Sequence, residues 1–311
     1  ALSRPVIAEA VAGVAVELDA EAVVHGCTGK GNDQVRFELA FKASYPGVRV
    51  IAPLRDRVWS RDEEIAYARE RGIPVEANPE SPYSIDDNLF GRAIEAGVLE
   101  DPWAAPPEEA FALTASPAES RAPAEVVVGF ESGLPVSLDG EELELADLVT
   151  TLNEQAGGYG IGRIDMIENR VVGIKSRELY EAPAALTLIA AHQALEDLVL
   201  TKAELVAKRE LEPKWAGLVY DGLWFSPARA AYDAFFAETQ NLVDGEVRLT
   251  LQPGSAVVSG RRSEHALYAE SLASYGSGET FPHEASSGFI RIAVAGKLSC
   301  TCSSSARCSA T

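Results

Sequence analysis

Near the start of the chain Val6, Ile7, Ala10, Val11, Val14 and Leu18 recur at helical spacing, which predicts a helix over Pro5 to Leu18. A short apolar run, Ala22 to Val24, then ends at Gly26 and reads as a buried strand. A polar, glycine-bearing turn follows, and Val35, Phe37, Leu39 and Phe41 lie in a second predicted helix before another apolar run, Val48 to Ile51. The charged segment Arg61 to Arg71 predicts a third helix ahead of a strand at Ile73 to Val75. Short apolar runs alternating with helices indicate an α/β unit with a parallel sheet. Because the pattern opens on a helix with no leading strand, only part of such a sheet is expected.

From Ala77 to Arg121 the pattern dissolves into prolines and acidic residues, among them Pro79, Pro82, Pro102, Pro106, Pro107 and Pro117, which predicts a linker and long connections, with a domain boundary near residue 78. Beyond it, Val126 to Phe130 reads as a strand entering a turn at Glu131 to Pro135, and a strand pair is expected around Asp165 to Lys175. The longest helical pattern runs from Ala182 to about Glu210. Val247, Leu249 and Leu251 alternate with polar neighbours, so Glu246 to Leu251 and Ser255 to Gly260, split by Pro253 and Gly254, predict a hairpin. The second unit is therefore α+β, and no internal repeat is visible.

Composition narrows the picture. With 311 residues, 47% apolar and 24% charged, the chain can bury a sizeable core and form more than one unit. No continuous apolar run approaches the roughly 20 residues of a bilayer span, so no membrane partner is expected. A net charge of -20 opposes binding to a phosphate backbone and argues against nucleic acid. Of the four cysteines, Cys300, Cys302 and Cys308 crowd into the serine-rich end KLSCTCSSSARCSAT, which is expected to be disordered. A metal site there needs a fourth ligand and a rigid frame, neither of which the sequence offers, so no metal is expected. Cys27 alone in the body suits a reducing cytoplasm.

The densest candidate chemistry is the string His25 to Arg36, HGCTGKGNDQVR, where a strand gives way to a helix. Three glycines permit close backbone approach, and free N–H groups at a helix start favour anions. Lys30 is followed by glycine rather than Ser or Thr, so this is not a Walker A loop. Thr28, Asn32, Asp33 and Arg36 supply a hydroxyl, an amide, a carboxylate and a guanidinium, a set that suits a zwitterionic amino acid beside a nucleotide. The same string also reads as a plain structural turn, with Arg36 on a solvated helix face.

HGCTGKGNDQVRFE is similar to the nucleotide and aspartate loop of argininosuccinate synthases. Four later segments resemble the same family in the same order: SPYSIDDNLFGR at Ser81 to Arg92, GYGIGRIDMIENRVVGIKSRELYEAP at Gly158 to Pro183, KWAGLVYDGLWFSP at Lys214 to Pro227 and VSGRRS at Val258 to Ser263. The resemblance covers about residues 1 to 292. It implies a Rossmann-like, adenine nucleotide alpha hydrolase-like domain at 1–77, a synthetase and multimerisation domain at 78–292, and an aberrant tail at 293–311. By position, Gly26 resembles an ATP-contacting glycine, Thr28, Asn32 and Asp33 the aspartate set, and Asn32, Arg36, Ser84, Glu168 and Tyr180 the citrulline set. Without the resemblance, Glu168 reads as a surface turn and Tyr180 as a packing residue.

The implied activity is ATP-dependent joining of citrulline to aspartate through a citrullyl-adenylate, in a cytoplasmic homotetramer. ATP with magnesium serves as substrate, and no tightly bound cofactor is implied. Two departures matter. Ala93 stands where many members carry a second citrulline-contacting serine, and the family's leading Ser-Gly-Gly pyrophosphate loop and its usual C-terminal continuation have no counterpart here. A second reading therefore stays open: a remnant unable to form the adenylate, binding at most an amino-acid substrate.

Overall fold

In the segment SRPVIAEAVAGVAVE, the alanines at positions 8, 12 and 15 share one side of a helix, and a computed structural model of the protein shows α1 (Ser3–Glu17) buried on that side. The structure describes residues 2–57, 61–74, 83–119, 121–274 and 280–297. Small side chains let α1 lie close against α2 (Asp33–Ser44), where Ala40 and Phe41 complete a small core with Val23 and Val48. The stripe of valines and Leu18 that predicted α1 faces outward instead: Val6 is 60% and Leu18 74% exposed. Strands β1 (Ala22–Val24) and β2 (Arg49–Ile51) pair in parallel, Val23 opposite Val50, with α2 as the crossover that a parallel pair requires. The short helix α3 (Pro53–Asp56) and α4 (Arg61–Glu70) follow. Ile73 and Pro74 are not in a strand, and Val75 lies outside the described residues.

The stretch read as a linker contains regular structure. Strands β3 (Ser84–Asn88) and β4 (Gly91–Glu95) form a hairpin, and 3-10 turns occupy Gly97–Glu100 and Glu108–Ala110. All five residues of β3 are exposed, so it shows no apolar alternation by which to be recognised. This hairpin joins β8 (Arg163–Asn169) and β9 (Lys175–Glu181) in an antiparallel sheet of order β3-β4-β9-β8. On the face opposite the exposed one, Ile94 and Leu179 pack with Leu99 and Ala110.

A second antiparallel sheet has the order β11-β10-β5-β6-β7, built from β5 (Ala124–Glu131), β6 (Leu134–Leu138), β7 (Glu141–Glu142), β10 (Gly245–Gln252) and β11 (Ser255–Arg262). Against it lie α5 (Leu145–Gly157) and α6 (Pro183–Val199), and Val126, Val128, Leu148, Leu152, Leu195, Val247 and Leu249 between them form the main core. The single long helix expected over Ala182 to about Glu210 is two helices. α6 stops at Val199, and Thr201 caps α7 (Lys202–Tyr220): Glu204 N donates to Thr201 Oγ1 at 3.4 Å while Thr201 N donates to Glu204 Oε2 at 2.8 Å. α8 (Pro227–Gln240) packs on α7.

Residues up to His265 make one unit, which accommodates all of these elements. From Ala266 a second unit begins, with α9 (Glu270–Ala273) and α10 (His283–Lys297); within it Thr280 N donates to Ser271 O at 2.9 Å. α10 continues past residue 293, where the tail was expected to begin, and Cys300, Cys302 and Cys308 lie outside the described residues. No helix among the described residues is long and apolar enough to cross a membrane.

Candidate active site

Side chains two apart on a strand share a face, so Ser84 and Asp86 of β3, Ala93 and Glu95 of β4, Glu178 and Tyr180 of β9, and Glu168 of β8 stand together on the side of the four-stranded sheet opposite its core. The start of α2 meets this face. Between them lies a cleft of about 550 Å³ that Thr28, Asn32, Asp33 and Arg36 line together with Ser84, Glu168 and Tyr180. This volume suits a small ligand. Seven of the eight residues singled out from the sequence thus converge from four chain segments. Gly26, just past the end of β1, is exposed and does not line the cleft; a Cβ there would stand 3.8 Å from Leu54 Cδ1.

The glycine loop is held from several sides. Gln34, buried in α2, donates Nε2 to Gly29 O at 2.5 Å, and Gly31 N donates to Thr28 O at 3.3 Å. From the turn after β8, Arg170 Nη1 donates to Lys30 O at 3.3 Å and Val171 N to Asn32 Oδ1 at 2.8 Å. Arg170 also pairs with Glu95 and with Glu178, the latter at 3.5 Å.

Charges in the cleft are interleaved. Arg4, near the start of α1, donates Nε to Asp33 Oδ2 at 2.8 Å and reaches Asp86 Oδ2 at 3.3 Å, while Arg36 Nη1 lies 3.3 Å from Asp33 Oδ1. Burial works against ionisation of Asp33, yet Arg4 and Arg36 outweigh it and hold the carboxyl below its ordinary range. Glu168 is gripped at both oxygens: Tyr180 donates to Oε1, and Tyr220 donates to Oε2 at 2.6 Å. Burial, together with the bond to Glu168, pushes the Tyr220 phenol up to about 12, and burial likewise raises Tyr180, so both remain donors at neutral pH. Burial also raises the Cys27 thiol, which sits in the cleft as a protonated, half-buried side chain.

Arg4, Arg170 and Tyr220 were not among the residues singled out from the sequence. Arg4 comes from the N-terminal helix and Tyr220 from the C-terminal end of α7, nearly two hundred residues from its partner Asn32. Asp221-Gly222, a helix stop directly after Tyr220, was the one local signal available.

Behind the cleft the fully buried Glu181 accepts from the backbone N–H groups of Ala112, Leu113 and Thr114, from Thr114 Oγ1 at 2.7 Å and from Arg92 Nη1 at 3.0 Å. Burial opposes its ionisation, but these donors prevail and its carboxyl titrates below the ordinary range. The cradle ties the 112–114 loop to the end of β9, next to Tyr180.

Known proteins match both parts of the chain. A family profile described as the Arginosuccinate synthase N-terminal HUP domain covers residues 1–74, and one described as the Arginosuccinate synthase C-terminal domain covers residues 83–298. Argininosuccinate synthase of Bacillus subtilis (strain 168) is 54% identical over 293 residues, 94% of this chain and 73% of that protein. The Bacillus velezensis protein of the same name is 56% identical over 293 residues, with the same coverage, and the Bacillus licheniformis one 55% over 294.

Proposed function

The chain belongs to the argininosuccinate synthase family of ATP-dependent ligases, and from that premise we propose that its cleft binds citrulline and aspartate side by side and joins them through a citrullyl-adenylate. One observation carries the reading: Asn32, Arg36, Ser84, Glu168 and Tyr180, widely separated in sequence, line one cleft together with Thr28 and Asp33. In this reading Glu168 receives the α-ammonium of citrulline, Arg36 and Ser84 its carboxylate, and Tyr180 walls the chain. Thr28, Asn32 and Asp33 hold aspartate, whose ammonium replaces part of the Arg4 contact on Asp33. The ATP site lies toward Gly26, with magnesium arriving as part of that substrate.

The citrulline ureido oxygen attacks the α-phosphorus and expels pyrophosphate; the aspartate amine then attacks the activated carbon and expels AMP. A neutral ureido group is a weak nucleophile, so the protein contributes chiefly position and charge. We read residues 1–77 as the nucleotide-binding domain and 78–292 as the synthetase domain of a cytoplasmic homotetramer.

Calorimetric titration of the protein with citrulline, and separately with aspartate, tests the site. Glu168→Gln is expected to weaken citrulline roughly tenfold or more, and Asp33→Ala to weaken aspartate about ten- to a hundredfold, the effect of losing a charge-assisted contact of about 1.5 to 3 kcal/mol. Absence of citrulline binding, or binding indifferent to Glu168→Gln and Arg36→Ala, overturns the reading.

A further inference from the structure

The substrate reading uses Asn32 and Arg36 from α2 and Glu168 from β8, and it leaves open what keeps these two elements in register across the cleft. Their polar groups converge on one residue outside the substrate set. Tyr220 ends α7, and its hydroxyl accepts from Asn32 Nδ2 at 3.0 Å while donating to Glu168 Oε2 at 2.6 Å. Its carbonyl oxygen, one of those a helix end leaves without an intrahelical donor, accepts from Arg36 Nε at 2.8 Å. Its ring lies beneath the Arg36 guanidinium, whose carbon is 4.8 Å from the ring centroid.

The direction of each bond is determined by the next. Val171 N–H is only a donor, so it selects Asn32 Oδ1 and turns Nδ2 toward Tyr220. The tyrosine hydroxyl has one hydrogen, and having accepted from Asn32 it directs that hydrogen to the carboxylate of Glu168. Val171 lies three residues beyond Glu168 in the same turn-and-strand segment, so the contacts close a ring: Val171 to Asn32, Asn32 to Tyr220, Tyr220 to Glu168. A helix start, a helix end and a strand meet in it.

We infer that Tyr220 is a positioning residue of the citrulline site, whose hydroxyl sets the orientation of Glu168 and its distance from Asn32. Tyr220 lines the cleft beside these residues, and its hydroxyl is committed to Asn32 and Glu168. It holds one oxygen of Glu168, while the other faces the Tyr180 hydroxyl, whose single hydrogen is shared with Glu178, so Tyr220 is the donor committed to Glu168 alone and fixes how the carboxylate faces the cleft. This inference rests on the citrulline reading.

Tyr220→Phe keeps the ring and the backbone carbonyl and removes only the hydroxyl, so Arg36 retains both of its contacts with residue 220. The test is a double-mutant cycle of Tyr220→Phe and Glu168→Gln, with citrulline affinity measured by calorimetry and folding by circular dichroism and melting. Tyr220→Phe is expected to weaken citrulline roughly tenfold with little change in melting midpoint, and to add far less than that in the Glu168→Gln background, because both changes act through one carboxylate. A cycle also cancels any general loosening that Tyr220→Phe causes in both backgrounds. If wild-type protein binds citrulline and Glu168→Gln loses it, but Tyr220→Phe binds within twofold or the losses are additive, the positioning role is wrong and the citrulline reading stands. If Tyr220→Phe does not fold, Tyr220 is a packing residue and the inference fails. If wild-type protein does not bind citrulline, or Glu168→Gln binds it as wild type does, both fall together.

Discussion

Between the five-stranded sheet and α5–α6 the buried side chains are mostly leucines and valines, with a phenylalanine, an isoleucine and four alanines, while in the smaller core beneath α1 and α2 four of the seven buried side chains are alanine, and the valines of α1 point to solvent. The two regions hold their residues in place by different means. Burial of branched side chains is worth roughly 1.5 to 3 kcal/mol each and needs no particular direction. Alanines contribute little, and the loop from Thr28 to Arg36 is instead fixed by directed bonds arriving from elsewhere: Arg170 on Lys30, Val171 and Tyr220 on Asn32, Tyr220 O on Arg36, and Arg4 on Asp33. Stability is thus concentrated in one layer and geometry in the other, with the four-stranded sheet contributing to both through its core face and its cleft face.

The sharpest way to separate the two kinds of support is Glu181, where directed bonds occur inside a core. Glu181→Ala removes the acceptor shared by Arg92 Nη1, three loop N–H groups and the Thr114 hydroxyl, leaving Arg92 only Ala110 O and Asp87, and should cost about 3 to 5 kcal/mol in urea unfolding. Its titration adds a pH test. The folded-state value is depressed, so the stability Glu181 contributes is complete above the ordinary glutamate value, about 4.3, and is lost as pH falls below that toward the depressed value. Wild-type protein should therefore lose stability more steeply than Glu181→Gln through this acid window. Parallel curves would mean that the cradle does not hold a carboxylate.

Leu195→Ala probes the nondirectional side. Leu195 is fully buried where α6 meets the five-stranded sheet, and its truncation should cost about 2 to 5 kcal/mol while leaving citrulline affinity near that of wild type. A large affinity loss with intact folding would show that the packed layer also sets the geometry of the cleft.

The same division explains what could be read along the chain. Elements stabilised by burial announced themselves: β1 and the β10–β11 hairpin have apolar runs or alternation matching the sheet. The α6–α7 break was legible in principle, since Thr201 and Glu204 have capping-box spacing, but continuous helical propensity across Leu200 concealed it. β3, with the sequence SIDDN, escaped because its side chains line a cleft rather than a core, so the periodicity that reveals strands is absent where the site is built. Tyr220 escaped for a different reason. Its partners lie 52 to 188 residues away, and no local pattern encodes such a contact. On α1 the pattern identified the helix but named the wrong face, because close approach of two helices selects alanine, which a hydrophobicity pattern discounts.

The mildest change tests the comparison where the two regions differ most. Gly222 ends the turn after α7: Gly222 N donates to Val219 O and Leu223 N to Leu218 O, the Schellman pattern that needs a left-handed residue, and its φ is +78°. A Cβ there would also stand 3.0 Å from Arg36 Cα and 3.3 Å from Arg36 Cγ. Alanine therefore meets two costs, a left-handed backbone worth roughly 1 to 2 kcal/mol and a contact with the backbone of α2, which cannot turn aside as a flexible side-chain tip does. Separating α7 from α2 relieves the contact, and that same movement draws Tyr220 O from Arg36 and the Tyr220 hydroxyl from Asn32. Gly222→Ala should thus lose about 1 to 3 kcal/mol of stability, less than Leu195→Ala at the upper end of its range, yet weaken citrulline severalfold where Leu195→Ala does not. Melting and citrulline titration of the two variants side by side decide it. Should the affinity losses simply follow the stability losses, geometry and stability reside in the same contacts, and the separation drawn between the two layers is lost.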